Sequence, residues 1–258
     1  MSDIEQEQQV QQPQAQQGEE ENSMLNVDLN TLSTPAKLEY ITQLIGDAYN
    51  INIAQKLEQF LDIQIAENIY LFQANSTLLK LYQFNPTALN KDNIAKMLAK
   101  ALMNLPSNDF LFLSYMIPFS MQKEEPLLKL FTLNNLLETC KFKEAWEHIQ
   151  ANQSFFSNIP SFSESVRNFI ASVLSITYQT ITVPMLSEML NVQQSSLEEF
   201  IVSAKPLWKY NGTTVSLQSD NIKQKKSDTF TFDPIKSIAN YDEINYDASQ
   251  QQPVTVKN

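Results

Sequence analysis

The chain has 258 residues, 43% of them apolar, which is enough for one large globular domain or two smaller ones. Only three residues are Gly, and this shortage disfavours sheet-rich and nucleotide-binding folds, which use Gly at turns and phosphate loops, so the predicted class is mainly α. The 29 acidic and 18 basic side chains give a formal charge of -11, which argues against a polyanion as the partner of the surface as a whole.

The first predicted region is a tail. Residues 1–23 are rich in Gln and Glu and contain almost nothing to bury, so we expect them to be disordered. From about Leu32 the pattern changes, because apolar residues then recur at helical spacing. This periodicity predicts seven successive helices at residues 34–46, about 53–65, about 67–86, 94–102, 109–121, 126–140 and 143–151.

These seven helices form one predicted domain, over residues 24–160. A helix with a single apolar stripe cannot bury that stripe alone, so antiparallel neighbours have to stack into a solenoid of helix pairs. No strict internal repeat is visible in the sequence, and we therefore expect an irregular stack.

A second predicted domain, at residues 161–218, begins with a helix. Ser161 and Glu164 have the spacing of a capping box, in which a hydroxyl and a carboxylate each satisfy a free backbone donor at the helix start. A short helix follows from Thr182 and Pro184. A third helix begins near Ser195 and ends at Pro206, which cannot continue it.

A β-hairpin completes this domain. Residues 207–217 alternate apolar and polar side chains around Asn211 and Gly212, a pair that tolerates the positive φ angles of a tight turn. Three helices followed by a two-stranded wing predict a winged-helix module.

The predicted third helix argues against duplex binding by this module. Glu198 and Glu199 occupy the helix that would enter a major groove, where Lys or Arg is needed to neutralise phosphate. Lys205 and Lys209 are the only cations nearby. Docking of another protein is therefore favoured over direct binding of nucleic acid.

The chain then becomes polar again, and residues 219–258 form a predicted tail with one short element near residues 230–238. Lys223, Lys225 and Lys226 fit a solubilising linker better than an RNA contact, because no aromatic side chain lies among them to stack on a base.

Catalytic chemistry is not indicated, and we predict neither enzymatic activity nor a cofactor or metal. Cys140 and His148 are the only cysteine and the only histidine; they cannot build a zinc site, and Cys140 ends an apolar stripe, where packing is the expected role. A single cysteine also indicates a reducing compartment. The longest apolar patch, at residues 110–121, contains Pro118 and is shorter than the roughly 20 residues that span a bilayer.

Four stretches together resemble one family, the K subunits of eukaryotic translation initiation factor three. They are LLKLYQFNP at residues 78–86, LLETCKF at 136–142, SVRNFI at 165–170 and ITYQ at 176–179. The resemblance in order and spacing extends from about residue 32 to 238 and leaves out the two ends of the chain.

The resemblance implies the architecture of the PCI superfamily, a HEAT-like helical repeat followed by a winged helix. It also implies a non-catalytic cytoplasmic subunit that binds other subunits of the factor, the L subunit foremost, and helps to bring initiator tRNA and mRNA to the small ribosomal subunit. Subunits of the proteasome lid and the COP9 signalosome share this plan and remain the alternative.

We expect partner-binding residues on the wing and the outer face of the module: Trp208, Tyr210, Val215 and Leu217, with Arg167 behind them. Aromatic side chains and Arg are enriched at interfaces. Such residues can also cover the core of the module itself, and for Val215 and Leu217 this alternative is at least as strong.

Overall fold

The computed structural model describes residues 26–47, 49–204 and 207–217. This part of the chain contains twelve α-helices and three short strands, with 3-10 turns between some of them. In chain order they are α1 (Thr34–Leu44), α2 (Ala54–Ala66), α3 (Phe72–Phe84), α4 (Lys91–Met103), α5 (Asp109–Tyr115), α6 (Phe119–Gln122), α7 (Leu127–Glu138), α8 (Phe142–Ala151), α9 (Gln153–Phe156), α10 (Phe162–Thr177), β1 (Thr180–Thr182), α11 (Val183–Leu190), α12 (Gln194–Ala204), β2 (Lys209–Tyr210) and β3 (Thr214–Ser216).

The core is organised around α4. Asn90 starts this helix, since its side-chain oxygen accepts from the backbone N–H groups of Asp92 at 3.0 Å and Asn93 at 3.3 Å. Side chains from Ile94 to Leu102 are buried on almost every side of the helix, because α4 contacts α2, α3, α5, α7 and α10. Successive helices pack on one another, so the prediction of a mainly α helical repeat is confirmed.

Two predicted helices have different ends in the structure. The third helix begins at Phe72 rather than near Glu67, because the chain turns at Asn68, whose φ is 52°. The helix predicted at residues 109–121 is two helices, α5 and α6, separated before Pro118. Proline has no backbone N–H and its ring clashes with the preceding turn, so the break occurs at this residue.

Buried polar side chains between the first helices are paired with one another. Gln64 on α2 donates its amide to the Asn75 side chain on α3 at 2.8 Å, and both residues are almost fully buried. The Tyr82 hydroxyl donates to the Glu58 carboxylate and accepts from the Asn93 amide at 3.0 Å. Each pairing offsets the cost of removing these groups from water.

The winged-helix region has three strands rather than the predicted two. The strand order is β1-β3-β2 and both pairs are antiparallel, with Thr180 opposite Ser216 and Tyr210 opposite Val215. The sequence predicted a helix beginning at Thr182. In the structure Thr182 is the last residue of β1, and α11 begins directly after it.

Local turn chemistry differs from the prediction at one helix start and agrees with it in the wing. Ser161 precedes α10, but its φ is 58° and its side chain makes no capping hydrogen bond, so the predicted capping box is wrong. In the wing, Gly212 has a φ of 90°, and the Asn211 side-chain oxygen accepts from Thr214 N at 2.8 Å.

Cys140 is exposed, so the predicted packing role is wrong. It follows α7 with a φ of 57°, and its N–H donates to Leu137 O at 3.1 Å while Lys141 N–H donates to Leu136 O at 2.9 Å. This pair of bonds is a Schellman motif, a helix end that most often uses Gly.

The predictions for the two tails, including the lysines at 223, 225 and 226 and the element near residues 230–238, lie outside the described residues. The predicted boundary between residues 160 and 161 falls between α9 and α10. Side chains pack across that boundary, and the division into two domains stays a prediction.

Candidate functional site

The helical repeat and the winged helix meet at the carboxyl end of α11. Trp146 on α8 is 7% exposed, and its indole N–H donates to Met189 O at 2.9 Å. Arg167 on α10 donates from Nε to Leu190 O at 3.1 Å, and its guanidinium carbon lies 5.5 Å from the centre of a Trp146 ring. The last carbonyls of a helix have no partner within the helix, so these two side chains complete that helix end.

An exposed ion pair lies at the same junction. Lys143 on α8 lies 2.9 Å from the Glu188 carboxylate on α11. The hydrogen bond to Glu188, and then the charge of that carboxylate, raise the pKa of Lys143. Both side chains are exposed, so solvent screens the pair, and Trp146 and Arg167 provide the stronger link.

The residues predicted for partner binding fall into two groups. Trp208, Val215 and Leu217 are 5%, 0% and 5% exposed and cover the chain's own core. The Trp208 indole N–H donates to Ser175 Oγ at 3.2 Å. Tyr210 is half-buried, with its hydroxyl donating to Gly212 O at 3.3 Å.

A docking role for these residues stays a prediction. Val215 and Leu217 cover the core of the module itself, which is the alternative that the sequence left open, and Trp208 does the same. Arg167 is also engaged within the chain, since its partners are an indole ring and a carbonyl.

A surface groove lies between α12 and β2, and we name it the wing groove. Its volume is about 280 Å³, and it is lined by Glu198, Ile201, Val202, Trp208 and Tyr210. Val202 is 71% exposed, which is unusual for a large aliphatic side chain. The sequence contained a signal for it, because Val202 lies one residue past the buried Ile201 and so falls off the apolar stripe.

Strand β2 borders the wing groove and is an edge strand of the sheet. It pairs only with β3 among the described strands, so one side of its backbone has no strand partner there. Apolar surface beside such an edge is a common site for protein docking.

Charges on this part of the molecule do not favour phosphate. Glu198 and Glu199 on α12 are exposed. Lys209 on the edge strand β2 is an exposed cation. Elsewhere in the described residues, six lysines are already paired with carboxylates. These are Lys37 with Glu67, Lys91 with Glu124, Lys96 with Asp62, Lys129 with Glu125, Lys141 with Glu144 and Lys143 with Glu188.

The residues considered for catalysis are dispersed or occupied. His148 is half-buried, and its Nε2 lies 2.9 Å from Lys129 O. Among residues 26–47, 49–204 and 207–217 there is no group of three or more His, Cys, Asp or Glu side chains able to hold a metal ion. In the same part of the chain no helix is long and apolar enough to cross a membrane.

Comparison with known proteins finds a family and several relatives. The model of the CSN8/PSMD8/EIF3K family matches residues 88–228. The chain is 68% identical over 211 residues to eukaryotic translation initiation factor 3 subunit K of Dictyostelium discoideum, covering 81% of this chain and 85% of that protein. It is 36% identical over 197 residues to the human subunit K, covering 74% and 89% respectively. Subunit K of Nematostella vectensis is 36% identical over 189 residues, covering 72% and 88%.

Proposed function

The chain belongs to the family of eukaryotic translation initiation factor 3 subunit K, and we propose that it is a scaffold that holds other subunits of that factor together. As a member of this family it is a component of a translation initiation factor, and the prediction that it is not an enzyme is confirmed by that membership. The relatives above also favour the initiation factor over the proteasome lid and the signalosome, since each of them is named as subunit K.

The finer proposal is that the L subunit is the principal partner and that the assembly brings initiator tRNA and mRNA to the small ribosomal subunit in the cytoplasm. The chain contributes protein contacts to this task rather than contacts to RNA. The observation that supports this is the wing groove, where the exposed Val202 lies beside an edge strand and two exposed carboxylates. Phosphate would be repelled there, whereas an apolar protein surface with basic residues fits it.

We assign the predicted partner-binding residues different parts in this docking surface. Tyr210 and Val202 face the partner at the edge of the wing groove, and Trp208 forms its wall. Val215 and Leu217 hold the adjoining strand from the core side. Arg167 fixes the orientation of the winged helix on the repeat through its contacts with Trp146 and Leu190.

The test uses the tagged full-length chain, recovered from native cytoplasm at moderate salt, with its partners identified by mass spectrometry. The proposal predicts recovery of the other initiation factor 3 subunits, with the L subunit retained longest as salt is raised. Recovery of lid or signalosome subunits, or of no subunits at all, would contradict it.

A matched pair of variants tests the wing groove. Val202→Ser should weaken recovery of the L subunit, whereas Ile176→Ser should not, because Ile176 lies on α10 outside the groove. The two side chains are alike in type and are 71% and 75% exposed, so neither change should affect stability by more than about 0.5 kcal/mol. Equal recovery with both variants would remove the wing groove from the proposal.

A further inference from the structure

A second groove, which is apolar, lies in the helical repeat, and we name it the repeat groove. It lies between α3 and the α5–α6 segment and has a volume of about 490 Å³. Its walls include Leu79 and Tyr82 on one side and Tyr115, Met116, Pro118 and Met121 on the other.

Large exposed aromatic side chains lie in the wall of the repeat groove or directly follow its wall residues in the sequence. Tyr115 in its wall is 79% exposed, and Phe119, which follows the wall residue Pro118, is 70% exposed. Phe84, which follows the wall residue Gln83, is 63% exposed, and its ring centre lies 5.8 Å from that of Tyr49. Single exposed apolar residues are ordinary, but adjoining ones beside a groove mark an interaction surface.

Backbone carbonyls at the α5–α6 break and the Tyr82 hydroxyl, all at the repeat groove, already have partners within the chain. The break between α5 and α6 leaves carbonyl groups at the wall. Gln122 Nε2 donates to Ser114 O at 3.0 Å and to Ile117 O at 2.8 Å, while Gln83 Nε2 donates to Met116 O at 2.6 Å. The Tyr82 hydroxyl is bonded to Glu58 and Asn93.

This pairing selects the kind of occupant. An extended peptide gains affinity from main-chain hydrogen bonds to a strand edge, whereas the walls of this groove belong to helices, which pair most of their backbone groups internally. A helix satisfies its own backbone and offers only side chains, which is what an apolar groove with paired polar atoms can receive. The unbranched Met116 and Met121 side chains can adjust to its ridges.

The charges at the edge of the repeat groove add a second requirement. The Lys123 ammonium lies 4.2 Å from the centre of the Phe119 ring and is exposed. The nearby Lys91 is paired with Glu124, so Lys123 is the positive charge left for a partner at this edge. An acidic residue beside the apolar stripe of the helix would complement it.

We infer that the repeat groove binds an amphipathic helix of another subunit of the assembly, with acidic residues beside its apolar stripe. This docking surface is distinct from the wing groove, since the two are lined by different residues on different elements. The inference rests on the proposed function in one respect, because the partner is taken from the same assembly.

The test places a photoreactive phenylalanine analogue at Tyr115 or Phe119 in the full chain, within the assembly recovered from cytoplasm. Both probes should label one helical segment of another subunit, at positions about three, four or seven residues apart, as on one helix face. The same analogue at Ile176, which is 75% exposed on α10, serves as the control for unspecific labelling.

Several results would overturn the inference. They are labelling of positions two residues apart, of residues 1–25 or 218–258 of this chain, of a second copy, or of no protein beyond the Ile176 control. If the unaltered chain recovers the assembly and the probes fail, only this inference is lost. If the unaltered chain recovers no initiation factor subunit, the proposed function fails and this inference fails with it.

A double variant provides a second readout. Tyr115→Ser with Phe119→Ser should lower the affinity for the labelled subunit about tenfold or more, since aromatic side chains that a partner covers carry much of the affinity of a contact. The isolated chain should melt at an unchanged temperature, because both side chains are largely exposed. Unchanged affinity would contradict the inference.

Discussion

The Arg167 guanidinium lies over the Trp146 ring at the junction between the helical repeat and the winged helix, and each side chain donates a hydrogen bond to a neighbouring carbonyl of α11. The contact joins α8 to α10 through the end of a third helix. Its two members lie 21 positions apart in the sequence and belong to different predicted domains. The junction is therefore made by side chains that are specific to it rather than by apolar burial alone.

The first prediction concerns the contact between Arg167 and Trp146. Arg167→Ala should lower the free energy of unfolding by about 1–2 kcal/mol, because it removes the cation over the indole ring and leaves Leu190 O without its partner. Trp146→Phe alone should lose the bond to Met189 O. Denaturant unfolding of both variants and of the double variant should give a coupling of about 0.5–2 kcal/mol. Strict additivity would show that the two side chains act independently.

The second prediction separates core from surface in the wing. Trp208→Ala should cost about 3–5 kcal/mol, because removing the buried indole leaves a cavity in the core. Ser175→Ala is the companion variant. It removes only the partner of the indole N–H and should cost about 1 kcal/mol. A Trp208→Ala protein with unaltered thermal stability would show that the ring is dispensable to the core.

The third prediction concerns the left-handed residue after α7. An L-residue in this conformation costs about 1–2 kcal/mol, part of which the greater freedom of unfolded Gly cancels. Cys140→Gly should therefore stabilise the protein by about 0.5–1 kcal/mol, as Gly is favoured in a Schellman motif. Cys140→Ala keeps the β-carbon and should give no such gain. Equal melting temperatures for the two variants would refute this explanation.

The fourth prediction concerns alkaline stability. Burial, and after it the hydrogen bond to Glu58, raise the pKa of Tyr82 above its ordinary value of 10.0. The folded chain then holds this proton where the unfolded chain has lost it. The contribution of this pKa difference to the free energy of unfolding is present in full below pH 10 and is lost as the pH rises beyond that value.

Tyr82→Phe tests the sign. At pH 7 the variant should be less stable by about 1–3 kcal/mol, since Glu58 and the buried Asn93 lose a partner. Above pH 10 the gap between the wild type and the variant should narrow, because the variant has no proton to lose at this site. Urea unfolding at pH 7 and pH 11 measures both differences, and a gap that widened with pH would contradict the assignment.

Helices with long periodic stripes were predictable from the sequence. The apolar spacing of α4 and the Asn90 cap at its start both lie within one short segment, so the local sequence is sufficient to predict the helix. Pro118 interrupts the apolar patch at residues 110–121, and it divides the segment predicted as the fifth helix into two. Strand β1 was missed because Thr180–Thr182 is only three residues long and becomes a strand by pairing with β3, which lies over 30 residues further on.

The site was less predictable than the fold, for a related reason. Alternation in the wing places Trp208 on one face of a strand, but it does not say whether that face meets the core or solvent. The structure turns it inward and leaves Val202 outside. Likewise no local pattern predicted that Gln83 would pair with Met116 O, because that bond requires segments 33 residues apart to meet.

The indole of Trp146 has a consequence for the exchange of parts between related chains. A segment beginning at residue 161 carries Arg167 and the whole of α11 but leaves behind the donor to Met189 O. Transplanted onto another helical repeat, it would expose that carbonyl and one face of the guanidinium unless the recipient already had an indole at the same place. A segment exchanged between related chains should therefore begin before α8, and not at the boundary between residues 160 and 161 that the hydrophobic pattern predicts.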